Sequence, residues 1–206
     1  NIKKIIFSSS ATVYGVPEYL PIDEDHKLEP INPYGVGKKI IEDMLKDIAL
    51  SDSDWGILCL RYFNPVGAHE SALIGEDSTG IPSNLVPYIT SVAMGKYKSV
   101  NIFGNDYPTS DGTGIRDYIH VMDLADGHLS ALEYFCSGGK GFEAVNLGTG
   151  KGVSVLEVIN EFSCICKNEI PFVIRDRRPG DVASSFASVN KAFSLLNWQA
   201  KYNLYD

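Results

Sequence analysis

The chain has 206 residues, 44% hydrophobic and 21% charged, with a formal net charge of −8, the composition of an ordinary globular protein able to bury a core as one domain or one domain plus a small lobe. This acidic balance offers no basic stripe for phosphates and excludes a general nucleic-acid binder, and no run of about 18 apolar residues exists to span a bilayer. No basic-then-apolar leader opens the sequence, so a cytoplasmic setting is the expectation.

The first predicted strand is Ile2 to Phe7, apolar enough to be buried on both faces of a parallel sheet, which requires neighbouring strands. It begins almost at once after Asn1, with no initiator Met, and the sequence stops at Tyr205-Asp206 soon after its last helix, so it reads as an internal piece of a longer protein. Ser8-Ser9-Ser10-Ala11-Thr12-Val13-Tyr14-Gly15 follows the strand. Small hydroxyl residues there suit the ligand position of an open α/β sheet, while simple turn chemistry is the plainer reading. Residues 16–33 form an extended surface loop, since Pro17, Pro21, Pro30 and Pro33 forbid regular helix and Asp23, Glu24 and Asp25 favour water.

A helix is predicted from Pro33 to Leu50, with Ile40, Ile41, Met44, Leu45 and Ile48 at helical spacing and Pro33 in the first turn. Gly35 and Gly37 each cost such a helix roughly 1 kcal/mol relative to Ala; close approach to a neighbour would explain them, and so would fraying. Tyr34 and Lys38, one turn apart, share a face and can act on one substrate. A fixed ammonium favours the phenolate of a nearby tyrosine, which makes the pair a candidate base, while a solvated helix face is the plainer reading.

Ile57 to Arg61 is a second buried strand, giving a parallel strand, helix, strand crossover, and Tyr62-Phe63-Asn64-Pro65-Val66-Gly67 follows it. Residues 69–87 read as a long loop of the kind that carries function. Then come a helix around Leu85 to Met94, a strand Val100 to Phe103, a polar loop to Gly114, a strand Ile115 to Val121, a helix Asp123 to Phe135 and a strand Glu143 to Leu147. Gly148-Thr149-Gly150-Lys151-Gly152 fits neither G-x-G-x-x-G nor the Walker spacing. It reads as a tight turn before a helix whose Ser154 and Glu157 form a capping box and which runs to about Cys166. A strand Phe172 to Ile174, the basic segment Arg175-Asp176-Arg177-Arg178-Pro179-Gly180-Asp181 and a helix Asn190 to Leu196 complete the chain.

Cys59, Cys136, Cys164 and Cys166 sit among apolar residues without a C-x-x-C pair, so buried free thiols are expected. Cys164-Ile165-Cys166 has the wrong spacing for a zinc knuckle, and no metal is expected.

Taken in order, Phe7-Ser8-Ser9-Ser10-Ala11-Thr12-Val13-Tyr14-Gly15, Pro33-Tyr34-Gly35-x-x-Lys38, Arg61-Tyr62-Phe63-Asn64-Pro65-Val66-Gly67-Ala68, Ile102-Phe103-Gly104-Asn105-Asp106-Tyr107-Pro108-Thr109, Asp111 to Val121 and Arg177-Arg178-Pro179-Gly180-Asp181 resemble the extended short-chain dehydrogenase/reductase family, most closely its UDP-hexose 4-epimerases. The resemblance covers nearly the whole chain. It implies an α/β fold: the C-terminal part of a Rossmann-type parallel sheet (residues 1–67, with later segments returning to it) plus a smaller mixed α/β substrate lobe (mainly 68–206). Nothing in the sequence matches the family's glycine-rich pyrophosphate turn or its ribose-binding acid, so weak NAD binding and little activity are expected of the chain alone.

The resemblance further implies NAD-dependent interconversion of UDP-galactose and UDP-glucose at sugar C4, a reaction of galactose metabolism. In that reading Tyr34 is the base and acid, Lys38 tunes it and holds the nicotinamide ribose, and Ser10 hydrogen-bonds the 4-oxygen. Tyr62 and Ser8, with Tyr34 and Lys38, would face NAD. Arg116 and Arg178 would bind the diphosphate, for which guanidinium is suited. Asn64 and Asn84 would lie near sugar and phosphates, Phe103 beside uracil and Asp181 at the uridine ribose; Arg177 reads as surface. Gly37 stands where many relatives have a larger residue. Ser185 stands where the family has either a bulky Tyr or a small residue, and a small one leaves room for an N-acetyl group. A homodimer is implied for the intact protein. The competing readings are another nucleotide-sugar enzyme of the family and a UDP-sugar-binding fragment without activity; against a dehydratase, Ala11-Thr12 lacks the acidic residue those enzymes carry beside the serine.

Overall fold

The computed structural model describes residues 2–76 and 79–206. The predicted loop 69–87 contains residues 77 and 78, which lie outside the described residues. In chain order the elements are β1 (Lys4–Ser8), a 3-10 turn (Ala11–Val13), α1 (Pro33–Ser51), β2 (Gly56–Tyr62), β3 (Asn64–Val66), α2 (Leu85–Ala93), β4 (Val100–Phe103), β5 (Ile115–Arg116), β6 (Tyr118–His120), α3 (Val121–Cys136), β7 (Gly141–Leu147), β8 (Val153–Ser154), α4 (Val155–Cys166), β9 (Phe172–Arg175), β10 (Ser184–Ser185) and α5 (Asn190–Leu196).

β1, β2 and β7 form a parallel sheet with β2 in the middle, Ile57 opposite Ile5 on one side and Phe142 on the other. Successive side chains of a strand face opposite ways, and a strand covered on both faces must be apolar at every position. β2 meets that demand. Leu58 and Leu60 pack with Val145, Leu147, Ile119, Leu196 and Trp198 on the face covered by α3 and α5. Ile57 and Cys59 pack with Leu45, Ala49 and Ala144 on the face covered by α1. The expected parallel α/β fold is thus present. β1 departs from its expected full burial: among the described residues it pairs with β2 alone, and each of its residues is half-buried.

A second core of Ile89, Val92, Val100, Ile102, Val158, Ile159 and Ile170 joins α2, β4 and α4 into a smaller lobe. β3 pairs with β6, β4 with β9, and β5 lies between β8 and β10. The strand expected over Ile115 to Val121 is in fact two, in different sheets, and α3 begins at Val121. Asp117 is the break. Its buried carboxylate accepts from Thr149 N (2.8 Å), Thr149 Oγ1 (2.7 Å), Gly150 N (3.0 Å) and Ala187 N (3.1 Å). The glycine-rich stretch after β7 is therefore a structural turn, as expected, and its amides face a carboxylate. The capping box is present: Ser154 Oγ accepts from Glu157 N at 3.0 Å and Glu157 Oε2 accepts from Ser154 N at 2.6 Å.

Buried thiols were expected at four positions, and only Cys59 is buried; Cys136, Cys164 and Cys166 are exposed. Their apolar sequence neighbours misled, because α4 turns Val158 and Ile159 inward and carries Cys164 and Cys166 at its outer end. No helix among the described residues is long and apolar enough to cross a membrane.

Candidate functional site

The first turn of α1 is fixed from outside the helix. Asn32 caps it, its side chain accepting from Gly35 N at 2.8 Å, and Pro33 opens it. A Cβ at Gly35 would lie 2.6 Å from the Thr12 carbonyl oxygen, so only glycine lets α1 approach the 3-10 turn this closely. At Gly37 a Cβ would meet nothing within 4 Å, so close approach explains the first glycine alone.

Tyr34 is 56% exposed. The Lys38 ammonium lies 5.4 Å from its ring centroid and 5.0 Å from that of Phe7, and donates to the Ser8 carbonyl at 2.7 Å. One turn further, buried Glu42 accepts from Ser9 Oγ at 2.5 Å, so Lys38 and Glu42 pin one helix face to successive residues of the serine run. Glu42 is itself held by Arg61 of β2, with Nη2 to Oε2 at 2.6 Å and Nε to Oε1 at 3.1 Å. Burial opposes the guanidinium charge, and the Glu42 carboxylate and the Tyr14 oxygen together outweigh it, leaving the Arg61 pKa raised. Arg61 also donates to the Tyr14 hydroxyl (3.2 Å), which donates to Asn146 Oδ1 (2.6 Å). Burial raises the Tyr14 pKa, keeping that donor protonated.

The three serines thus diverge. Ser8 offers its carbonyl to Lys38, and its hydroxyl meets His128 Nε2 at 3.2 Å. His128 Nδ1 lies 2.8 Å from the Leu124 carbonyl, which can only accept, so in the neutral ring Nε2 accepts from Ser8. Ser10 Oγ accepts from Thr12 N (3.2 Å) and Thr12 Oγ1 (3.0 Å), which leaves its own hydrogen to donate elsewhere.

Ser10 lines one of two neighbouring cavities. One of about 240 Å³ is lined by Ser10, Thr12, Asn32, Tyr62, Asn64, Arg116, Asp181 and Ser185. The other, about 260 Å³, is lined by Asn64, Asn84, Phe103, Tyr107, Arg116, Tyr118, Arg178 and Asp181. They share Asn64, Arg116 and Asp181. Arg116 Nη2 lies 3.6 Å from Asp181 Oδ1, and the Arg178 guanidinium stacks 3.8 Å over the Phe103 ring. Asn84 also donates to Glu76 at 3.0 Å.

The structure therefore gathers Ser10, Tyr62, Asn64, Asn84, Phe103, Arg116, Arg178, Asp181 and Ser185 onto the walls of two cavities that share Asn64, Arg116 and Asp181. Tyr34, Lys38 and Ser8 line neither cavity; Tyr34 stands two residues past Asn32, which does. Sequence reasoning gave no role to Asn32, Thr12 or Tyr107 as lining residues, nor to the Glu42–Arg61 pair. All but Glu42 lie inside or beside the motifs, but Glu42 and Tyr107 meet partners distant in sequence, Arg61 and Arg177.

All 206 residues, 1–206, match the family model described as GDP-mannose 4,6 dehydratase. The chain belongs to that family. This GDP-mannose 4,6 dehydratase family domain is 55% identical over 205 residues to the UDP-glucose 4-epimerase of Bacillus subtilis (strain 168), a match covering 100% of this chain and 60% of the relative. Among solved structures, the UDP-glucose-4-epimerase of Stenotrophomonas maltophila with bound NAD and formylated UDP-arabinopyranose superposes at TM-score 0.96 and 48% identity, covering 100% of this chain and 61% of that one. The UDP-glucose 4-epimerase of Bifidobacterium longum in complex with NAD+ and UDP gives TM-score 0.95 and 51% identity over the same shares. The family domain thus spans about 60% of the length of the relatives it matches. The family resemblance read from the motifs is borne out.

Proposed function

We propose that this chain carries the UDP-sugar side of an NAD-dependent 4-epimerase that interconverts UDP-galactose and UDP-glucose. The observation that carries the reading is the pair of cavities meeting at Asn64, Arg116 and Asp181: one is furnished for a nucleotide by an aromatic ring and two guanidinium groups, the other for a hydroxylated ring by Ser10, Asn64 and Ser185. In a protein of net charge −8, Arg116 and Arg178 are the cations a diphosphate needs, and guanidinium binds phosphate through paired donors. Asn64 and Asn84 supply amides along that track, Phe103 the uracil face and Asp181 an acceptor for ribose.

NAD supplies the hydride acceptor and donor for sugar C4 when bound. Lys38, Tyr34 and Tyr62 fit its nicotinamide and ribose end, with Ser8 behind them as the acceptor that orients Lys38. The fit does not extend to the pyrophosphate along the Gly148–Gly150 turn, whose amides are taken by Asp117. Tyr34 removes and returns the proton of the sugar 4-hydroxyl, Lys38 stabilises negative charge developing on the phenolic oxygen, and Ser10 donates its free hydrogen to the sugar 4-oxygen. Ser185 is small and lines the sugar cavity, so UDP-N-acetylhexosamines are within its range. We divide the chain into a Rossmann-type part, 1–67 with β7 returning, and a mainly UDP-sugar-binding part, 68–206. Val36, Ile40 and Met44 leave an exposed apolar stripe along α1 suited to a homodimer. A cytoplasmic setting accords with three exposed free thiols.

The test is conversion of UDP-galactose to UDP-glucose with NAD, by this chain and by this chain fused to the part of the Bacillus subtilis relative that the match leaves out. The fusion turns over, and Tyr34→Phe removes most of that activity with UDP affinity unchanged within about twofold. No turnover by the fusion, or turnover indifferent to Tyr34→Phe, refutes the epimerase reading. A second reading, UDP-sugar binding without turnover by the chain alone, is favoured by the 60% coverage; UDP binding by a chain that shows no conversion selects it.

A further inference from the structure

Two of the three serines after β1 give their hydroxyl hydrogens to the protein, Ser9 to Glu42 and Ser8 to His128. Ser10 does not, and the reason lies two residues on. The Thr12 main-chain N–H, which can only donate, reaches Ser10 Oγ at 3.2 Å, and Thr12 Oγ1 donates to the same oxygen at 3.0 Å. A hydroxyl oxygen has two accepting lone pairs, so both are filled and the Ser10 hydrogen points away from the 3-10 turn. Thr12 Oγ1 has no other hydrogen-bond partner among the described residues. The Thr12 main chain is itself held in place. Its carbonyl oxygen is the atom that a Cβ on Gly35 would meet at 2.6 Å, so the turn abuts the residue directly after Tyr34. Replacing the Thr12 side chain therefore removes one donor and leaves the amide where it stands.

Resting on the epimerase reading above, we propose that Thr12 is a positioning residue for the reaction at sugar C4: its hydroxyl completes the accepting side of Ser10 Oγ, so that Ser10 presents only its hydrogen to the sugar 4-oxygen. This part needs no contact between Thr12 and the ligand. A hydroxyl that already accepts is polarised and donates more strongly. The gain is greatest as Tyr34 withdraws the 4-hydroxyl proton and negative charge gathers on that oxygen, so it falls on the rate and not on ground-state binding.

The test uses the fusion to the Bacillus subtilis segment, with UDP-galactose and NAD under single-turnover conditions, which keep slow variants measurable. Thr12→Val preserves the branched shape and deletes the donor; it slows conversion at saturating substrate roughly fivefold, the effect of one lost neutral hydrogen bond, with KM within about twofold. Thr12→Ser restores the donor and most of the rate. In a Ser10→Ala background the same Thr12→Val change costs nothing more, because Thr12 acts through Ser10. In the chain itself, Thr12→Val leaves UDP affinity by calorimetry within about twofold and the urea midpoint in place. An equal loss in the Ser10→Ala background overturns the proposal, as does weakened UDP binding or a lowered midpoint, which would mark Thr12 as a binding or structural residue. A wild-type fusion without turnover refutes the epimerase reading and takes this proposal with it; a fusion that depends on Tyr34 and is indifferent to Thr12→Val refutes this proposal alone.

Discussion

Replacing Glu42 with alanine isolates what ties the serine run to the helix bearing Tyr34 and Lys38. Glu42 and Arg61 have side chains only 2% and 5% exposed. The substitution leaves the guanidinium in the interior with the Tyr14 hydroxyl and the Glu24 carbonyl as its remaining acceptors, and frees Ser9 Oγ. Breaking a buried pair by removing one partner costs about 3–5 kcal/mol, a large part of the roughly 5–15 kcal/mol by which a domain is stable. With a urea slope of about 2 kcal/mol/M, the midpoint falls by on the order of 2 M. Replacing both members, Glu42→Leu with Arg61→Met, removes both charges and recovers most of the loss, since an apolar pair of similar volume often equals a buried ion pair. Urea denaturation followed by circular dichroism measures all three proteins. A loss below about 1 kcal/mol in Glu42→Ala, or a double variant no better than the single one, would refute the reasoning, because the Arg61 charge would then be satisfied without Glu42.

Gly37→Ala stabilises the chain by roughly 0.5–1 kcal/mol in the same denaturation, since the site is open and helical, whereas Gly35→Ala destabilises it by pressing on the Thr12 carbonyl. A thiol reagent at neutral pH labels Cys136, Cys164 and Cys166 in the native chain and Cys59 only after unfolding, because burial first, and then Glu42, raises the Cys59 pKa to about 12; labelling at Cys59 in the folded chain, read by mass spectrometry, would contradict its placement. Burial raises the Glu24 pKa, against the pull of its bond from Asn146 N. Folding therefore favours the protonated acid, and its contribution is fully present below the unfolded carboxylate pKa and lost as pH rises through the higher native value. Glu24→Gln keeps the accepting oxygen and removes that decline, so the wild type minus variant stability difference grows more negative with rising pH across that window; a flat difference would oppose the assignment.

Much of the fold was legible because it is written locally. The spacing of Leu45, Ile48 and their neighbours marks α1, the Ser154–Glu157 box marks the start of α4, and the unbroken apolar run of β2 reports burial on both faces. The division of Ile115 to Val121 was not legible, because a strand that changes sheet keeps its alternation and only the partner differs. The exposed cysteines were missed since neighbours in sequence say little about which way a helix turns a side chain. At the site, the motif residues of the two cavities were readable, while the bonds that hold them, Arg61 to Glu42 across 19 positions and Arg177 to Asp106 across 71, leave no trace in spacing.

The adjacent pair Arg116 and Asp117 has a consequence for how this chain tolerates change. Arg116 faces both cavities, and Asp117, its neighbour, faces the interior and gathers four donors there. A one-residue slip of β5 after a deletion between Gly112 and Ile115 would carry Asp117 into the place of Arg116, setting a carboxylate in the cavity wall where the guanidinium now stands and taking it away from its four N–H and O–H donors. A frame-preserving loss there reverses the charge at the pocket and strips the interior turn of its acceptor at one stroke. Length variation among functional descendants should therefore collect in the loop before Gly112, where the chain can shift without changing which charge looks inward.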